Sequence, residues 1–212
     1  METEVRFYYS LNSEDKIIEK LKSINGLVYD DRYYEKTDQY NHPMKEYDFY
    51  TKEIDGRFRV RTSKEINTNY SKAKISWKKR SEETFDGIVN KEEEVELDFK
   101  YDELDNLIFL LENVIKMKKI ESYERYRNVF SNKEVEIVVD KYPFGIALEI
   151  ENKSDEKSPE ETIMFWVNKL GLNLNNSFRL SWDDKYTELC KEQKIEIYKN
   201  VTFGLPMPKV ID

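Results

Sequence analysis

A single cysteine, Cys190, leaves no internal disulfide to form in 212 residues, and a reducing cytoplasm is the natural setting for such a chain. Histidine is equally scarce. His42, beside Pro43, reads as a loop residue, because one imidazole can build neither a metal site nor a catalytic triad by itself. Apolar runs are short, and none approaches the roughly 18 residues of a spanning helix, so no membrane partner is expected. Residues 1–25 carry no run that would serve as a signal peptide. With 6 glycines and 5 prolines, the chain has no linker, fixed-period repeat or low-complexity tract to divide it. One domain over residues 1–212 follows. The formal net charge of −8 argues against an extended nucleic-acid surface, although it leaves room for a buried basic pocket.

What is abundant is charge together with aromatic surface. Charged residues make up 37% of the chain, where about 25% is usual. Such a composition suggests disorder until 15 Tyr, 11 Phe and 3 Trp are weighed against it. The charge must therefore be compatible with a packed fold.

Three segments have helical spacing. Residues 13–24 open on a Ser cap, with Ile17, Leu21 and Ile24 on one face; residues 101–118 carry a stripe from Leu104 to Ile115; residues 158–170 begin Ser-Pro-Glu-Glu and stop at Gly171. A weaker helix spans 183–193. The remainder alternates with period two, and predicts strands over 2–9, 28–40, 47–53, 57–62, 74–80, 91–99, 123–130, 134–140 and 146–151. Asp55-Gly56 predicts a hairpin turn between the strands 47–53 and 57–62. Many strands on short turns with few helices indicate a mainly antiparallel α+β domain.

Successive strand side chains point to opposite faces, so each strand divides in two. Glu2, Glu4 and Arg6 oppose Val5 and Phe7. Arg57, Arg59 and Arg61 oppose Phe58 and Val60. Lys74, Ser76, Lys78 and Arg80 oppose Ile75 and Trp77. Glu92, Glu94, Glu96 and Asp98 oppose Val95, Leu97 and Phe99. Arg125 and Arg127 lie together, as do Glu136 and Asp140, and Glu149 and Glu151 oppose Leu148 and Ile150. One such strand belongs to any sheet with a wet face. The set differs because like charges are sorted by strand, and like charges two apart repel unless something of opposite sign lies between them. Divalent cations would satisfy the Glu rows and a polyphosphate the Arg and Lys rows. The geometry this favours is a barrel with charged faces inward and apolar faces outward beneath helices.

These residues resemble the CYTH superfamily, also called triphosphate tunnel metalloenzymes. The family's opening Glu-x-Glu-x-Lys is similar to Glu2-Thr-Glu4-Val-Arg6, followed by Asp38-Gln-Tyr40, Arg59-Val-Arg61, Lys74-Ile-Ser-Trp-Lys78, the acidic strand Glu92–Glu96 and Arg125-Tyr-Arg127. The stretch from Asp140 through Gly145 to Glu149-Ile-Glu151 resembles the family's Asp, Leu-Gly, Glu-Ile-Glu ending, and Lys185-Tyr186-Thr-Glu-Leu189 its closing helix. The resemblance covers about residues 1–190, and the tail 195–212 is unassigned. It implies a closed eight-stranded antiparallel barrel with a charged lumen and outer helices. It implies Mg²⁺ or Mn²⁺ on Glu2, Glu4, Asp140, Glu149 and Glu151, with phosphates on Arg6, Arg59, Arg61, Lys74, Lys78, Arg125 and Arg127. Glu2, Glu4 and Arg6 would form the catalytic group. The expected activity is metal-dependent hydrolysis of a small triphosphate: tripolyphosphate, a nucleoside triphosphate or thiamine triphosphate. The alternatives are an adenylyl cyclase in the same tunnel and a binder of polyphosphate without turnover. In two places the chain departs from the family. Arg6 stands where the family has Lys, and a guanidinium stays protonated and cannot act as a base. The closing helix also lacks the family's Ser.

Overall fold

The computed structural model describes residues 2–51, 53–80 and 90–211, with the side chains of Glu2, Arg80, Asn90 and Lys91 outside the description. Its strands are β1 Glu2–Tyr9, β2 Val28–Asn41, β3 Gly56–Glu65, β4 Ser71–Arg80, β5 Asn90–Lys100, β6 Lys118–Ser131, β7 Val135–Tyr142, β8 Gly145–Asn152 and the short β9 Asn200–Val201. The helices are α1 Glu14–Lys22, α2 Leu104–Phe109, α3 Pro159–Lys169 and α4 Trp182–Gln193. No helix among the described residues is long and apolar enough to cross a membrane.

The first eight strands form one antiparallel sheet in the order β2-β3-β4-β5-β1-β8-β7-β6, and β2 pairs again with β6 from Val28↔Ser131 to Asn41↔Lys118. The sheet is therefore strongly curled. Its weakest seam lies between β1 and β5, which share three pairs, Glu2↔Glu92 to Glu4↔Asn90. β9 runs parallel to β6 through Ser122↔Asn200 and Tyr123↔Val201.

Alternation divides the faces as the sequence requires. Val5, Phe7, Ile137, Val139, Leu148 and Ile150 turn outward and pack under Leu21 of α1 and Ile163, Trp166 and Val167 of α3. Burying an aliphatic or aromatic side chain of this kind is worth about 1.5–3 kcal/mol, so this layer fixes the register of the three strands. A second outer cluster places Val60, Phe58 and Ile75 against Leu107, Ile108 and Leu111. β5 differs. Val95 and Leu97 face outward but stay 56% and 65% exposed rather than lying under a helix.

Three expected elements change. The described residues of 47–53, all but Lys52, form no strand. Asn41 Oδ1 accepts from the Phe49 amide at 3.0 Å and Asp48 Oδ1 from the Tyr50 amide at 2.9 Å, so side chains claim the donors a ladder would need. The expected 54–57 hairpin is accordingly a turn out of a loop, with the positive φ of 43° at Asp55. Gly56 is required for another reason, since a Cβ there would run into the Trp77 ring. The helix expected over 101–118 ends early: α2 passes into a π turn at Leu110–Val114, and the chain then leaves for β6 at Lys118 through Lys116 at φ 68°. The tail is part of the fold. Met207 and Val210 join Phe144, Ala147, Tyr186 and Leu189 in a third cluster, and the Val210 amide donates to the Phe144 carbonyl at 2.9 Å.

Candidate functional site

The inner face of the curled sheet encloses a cavity of about 240 Å³. Eight cations line it: Arg6 from β1, Arg59 and Arg61 from β3, Lys74 and Lys78 from β4, Arg125 and Arg127 from β6, and Lys153 after β8. Six carboxylates face them: Glu4, Glu94, Glu96, Glu136, Glu149 and Glu151. The remaining lining residues, Tyr123, Tyr142 and Trp182, gather at one end. There Trp182, the first residue of α4, packs tilted against Tyr123 with ring centroids 4.2 Å apart and lies nearly parallel to Tyr142 at 6.1 Å. A second cavity of about 190 Å³ adjoins the first and shares Arg61, Lys74, Arg127 and Glu136 with it.

The structure thus brings together Glu4, Arg6, Arg59, Arg61, Lys74, Lys78, Arg125, Arg127, Glu149 and Glu151, ten of the residues expected from the sequence. Glu2 lies at the same end of β1, but its side chain is outside the described residues. Asp140 does not reach the chamber. It is fully buried behind the wall, and both its oxygens are occupied: Oδ2 accepts from Arg125 Nη1 at 2.8 Å and from Arg127 Nη2 at 2.6 Å, and Oδ1 from Arg127 Nε at 2.7 Å. Arg125 touches the chamber yet is 3% exposed, and its guanidinium is committed to Asp140, to the Tyr142 hydroxyl and to Glu35. Asp140 thus ties Arg125 and Arg127 together as a strut behind the wall.

Glu35 of β2 was not legible as a site residue, because it sits in a strand whose charges do not alternate. It accepts from Arg125 Nε at 2.7 Å and from Ser63 Oγ at 2.7 Å, and lies 3.9 Å from both Arg61 and Arg127. Burial alone would raise its pKa, but Arg125, Arg61 and Arg127 outweigh burial and hold it well below the usual carboxylate range. Tyr123 shows the converse. Burial opposes its ionisation, yet Arg61, Arg125 and Arg59 together bring the phenol down to about 7, and Arg61 Nη2 donates to its oxygen at 3.3 Å.

The two carboxylates nearest Arg6 are driven apart. Burial, aided by Glu149 and Glu92, pushes Glu4 up to about 7 against the pull of Arg6 and Lys78. Glu149 is also desolvated, but Arg6, Arg127 and Arg125 hold it down at about 2. Other wall charges pair across strands: Arg59 with Glu94 at 3.0 Å, Lys74 with Glu96 at 2.5 Å, Lys78 with Glu92 at 2.8 Å and Lys153 with Glu151 at 2.5 Å.

Carboxylate oxygens are the hard donors that Mg²⁺ and Mn²⁺ take. As arranged, however, the donors are engaged by the chain's own cations, Asp140 has no oxygen to offer, and among the described residues no three acidic side chains surround one point. Of the five residues expected to hold metal, Glu4, Glu149 and Glu151 face the chamber, Asp140 lies behind its wall, and the Glu2 side chain is outside the described residues.

Other candidates resolve simply. Trp77 packs on the outer face, 4.9 Å from Phe49 between ring centroids. Cys190 is buried in α4. His42 lies in the loop after β2, with Nδ1 accepting from the Met44 amide at 3.1 Å.

No family model and no curated protein matches the sequence. Solved structures do. The PH1819 protein of Pyrococcus horikoshii superposes with a TM-score of 0.68 at 22% identity, over 91% of this chain and 99% of that one. HpAC1 from Hippeastrum, a putative adenylyl cyclase described as having a dominant triphosphatase activity, gives 0.59 at 15% identity, over 93% and 98%. A putative adenylate cyclase from Vibrio parahaemolyticus gives 0.59 at 16%, over 85% and 95%. Curled sheet, charged inner face and these neighbours agree with the motifs read from the sequence: the chain has the CYTH-type fold.

Proposed function

We propose that the protein hydrolyses a small triphosphate inside this chamber, with the eight-stranded sheet acting as a closed tunnel around it. The observation that carries the proposal is the convergence of Arg59, Arg61, Lys74, Lys78 and Arg127 on one cavity in a chain whose net charge is −8. The β2–β6 ladder supports closure, since it joins the two ends of the eight-strand order.

A phosphoryl group leaves readily once its charge is offset and a nucleophile is held in line. Two unit charges 4 Å apart interact by about 4 kcal/mol at an effective dielectric near 20, so several fixed cations give ample leverage over position and barrier. Arg59, Arg61 and Arg127, with Lys74 and Lys78, would clamp the phosphate chain. Water attacks the terminal phosphorus, its proton passes to a wall carboxylate such as Glu4, and the bond from that phosphorus to the bridging oxygen breaks. Arg6 holds charge and takes no proton. Mg²⁺ or Mn²⁺ enters the proposal as the ion that travels with a triphosphate in solution and neutralises part of its charge. The wall is almost entirely charged, which suits phosphate groups better than a base or a thiazolium. A cytoplasmic setting, where such substrates occur, belongs to the same proposal.

Incubation with Mg²⁺ or Mn²⁺ and, in turn, tripolyphosphate, ATP, thiamine triphosphate and 5′-triphosphate RNA tests it. Orthophosphate release from tripolyphosphate is the expected result. Pyrophosphate with a cyclic nucleotide would instead identify a cyclase, and binding without any product a sensor.

A further inference from the structure

We propose that Arg6 is a built-in cation that occupies the place between Glu4 and Glu149 where a divalent ion would have to sit, so that this carboxylate pair holds no metal of its own. Three directions of its guanidinium are fixed. Nε donates to Glu149 Oε1 at 2.6 Å, Nη2 to Glu4 Oε1 at 2.9 Å and Nη1 to the Leu180 carbonyl at 3.1 Å. The arrangement follows from register. Arg6 is the direct cross-strand partner of Glu149, and Glu4 lies two residues away on the same face, so the three side chains meet at one spot on the wall.

The seat is rigid. Val5 and Phe7 on either side of Arg6 are buried in the outer core and lock β1 in its register, and the Arg6 carbonyl accepts from the Phe178 amide at 2.7 Å. A planar fork suits this position better than a lysine ammonium, which presents one point charge to two carboxylates. A divalent ion bound between Glu4 Oε1 and Glu149 Oε1 needs those oxygens at about 2.0–2.6 Å, where the guanidinium now holds both, so the ion can take that place only if the guanidinium is expelled. Expulsion would break three hydrogen bonds and leave a permanently charged group to find partners inside an enclosed, already paired wall. The inference concerns the chamber without substrate and its test involves no turnover. Hydrolysis can therefore fail while this stands, and the reverse.

The test is Mn²⁺ binding to metal-free protein without triphosphate, followed by the electron paramagnetic resonance signal of free Mn²⁺ and by thermal melting. Wild-type protein is expected to leave the signal and its Tm essentially unchanged. Arg6→Gln removes the charge at similar length and should gain one Mn²⁺ site at least about tenfold tighter, with a Tm that Mn²⁺ raises. Adding Glu149→Gln should abolish that gain. If Arg6→Gln does not fold without metal, Arg6→Lys replaces it; its Mn²⁺ affinity should exceed that of wild type, and Glu149→Gln added to it should remove the excess. Tight Mn²⁺ binding by wild type that Arg6→Gln leaves unchanged or weakens would overturn the proposal. So would an Arg6→Lys affinity equal to that of wild type.

Discussion

Replacing Asp140 with Asn separates two roles that the sequence could not distinguish. The substitution keeps shape and removes one charge from a fully buried site where three donors from Arg125 and Arg127 converge at 2.6–2.8 Å. Breaking a buried ion pair from one side leaves an uncompensated charge and costs about 3–5 kcal/mol. For a chain of this length each kcal/mol moves Tm by about 2–4 °C, so the melting point should fall by roughly 6–20 °C. The loss should shrink when tripolyphosphate is present, because Arg127 then gains a new anionic partner. Ligand at a hundred times its Kd stabilises either protein by about 2.7 kcal/mol, so the gap narrows only through a tighter Kd in the variant, by about 1.4 kcal/mol per tenfold. Circular dichroism melts with and without tripolyphosphate read both effects. A metal ligand would behave in the opposite way, since removing one of several clustered carboxylates relieves repulsion in the empty site. An unchanged or raised Tm for Asp140→Asn, together with lost Mn²⁺ binding, would refute the strut.

Glu4, raised to about 7, favours folding when protonated, so its contribution is full below pH ~4.5 and disappears as pH rises through 7. Glu4→Gln should therefore melt higher than wild type at pH 8, with the difference vanishing by pH 5. Tyr123, brought down to about 7, has the reverse sign: its stabilisation grows as pH rises from 7 towards 10. Phenolate absorbance should appear near neutral pH in wild type and be absent from Tyr123→Phe, and stability in that pH range should rise in wild type alone. Arg59→Ala should reduce the Tm gain from tripolyphosphate, and Lys22→Ala on the outside of α1 should not; equal gains would place the anion elsewhere. Added salt should weaken the wild-type gain less than it would at an exposed site, because enclosed charges are poorly screened.

Strand alternation assigned the charged rows of the sheet to the chamber face. Direction along a strand is a local property with period two, so the rows at Glu4–Arg6, Arg59–Arg61, Lys74–Lys78 and Glu149–Glu151 could be assigned to one face without knowing any neighbour. Helix ends with strong local chemistry were legible for the same reason, as in the Ser158-Pro159 cap of α3. The tertiary structure alone decided what each charge does. Asp140 and Arg125 read as ligands in the chain, and the fold ties both to Arg127 and Glu35 because β6, β7 and β2 come together in a register that joins residues up to 90 positions apart. Glu35 entered the site through the same pairing, and Trp182 through the docking of α4, neither of which leaves a periodic trace. The strand expected at 47–53 gave way to side-chain hydrogen bonds, and the tail found its place by filling space beside Gly145, where a Cβ would meet Val210 at 2.6 Å. Local pattern sets the direction of a side chain; its partner is set by long-range register and packing.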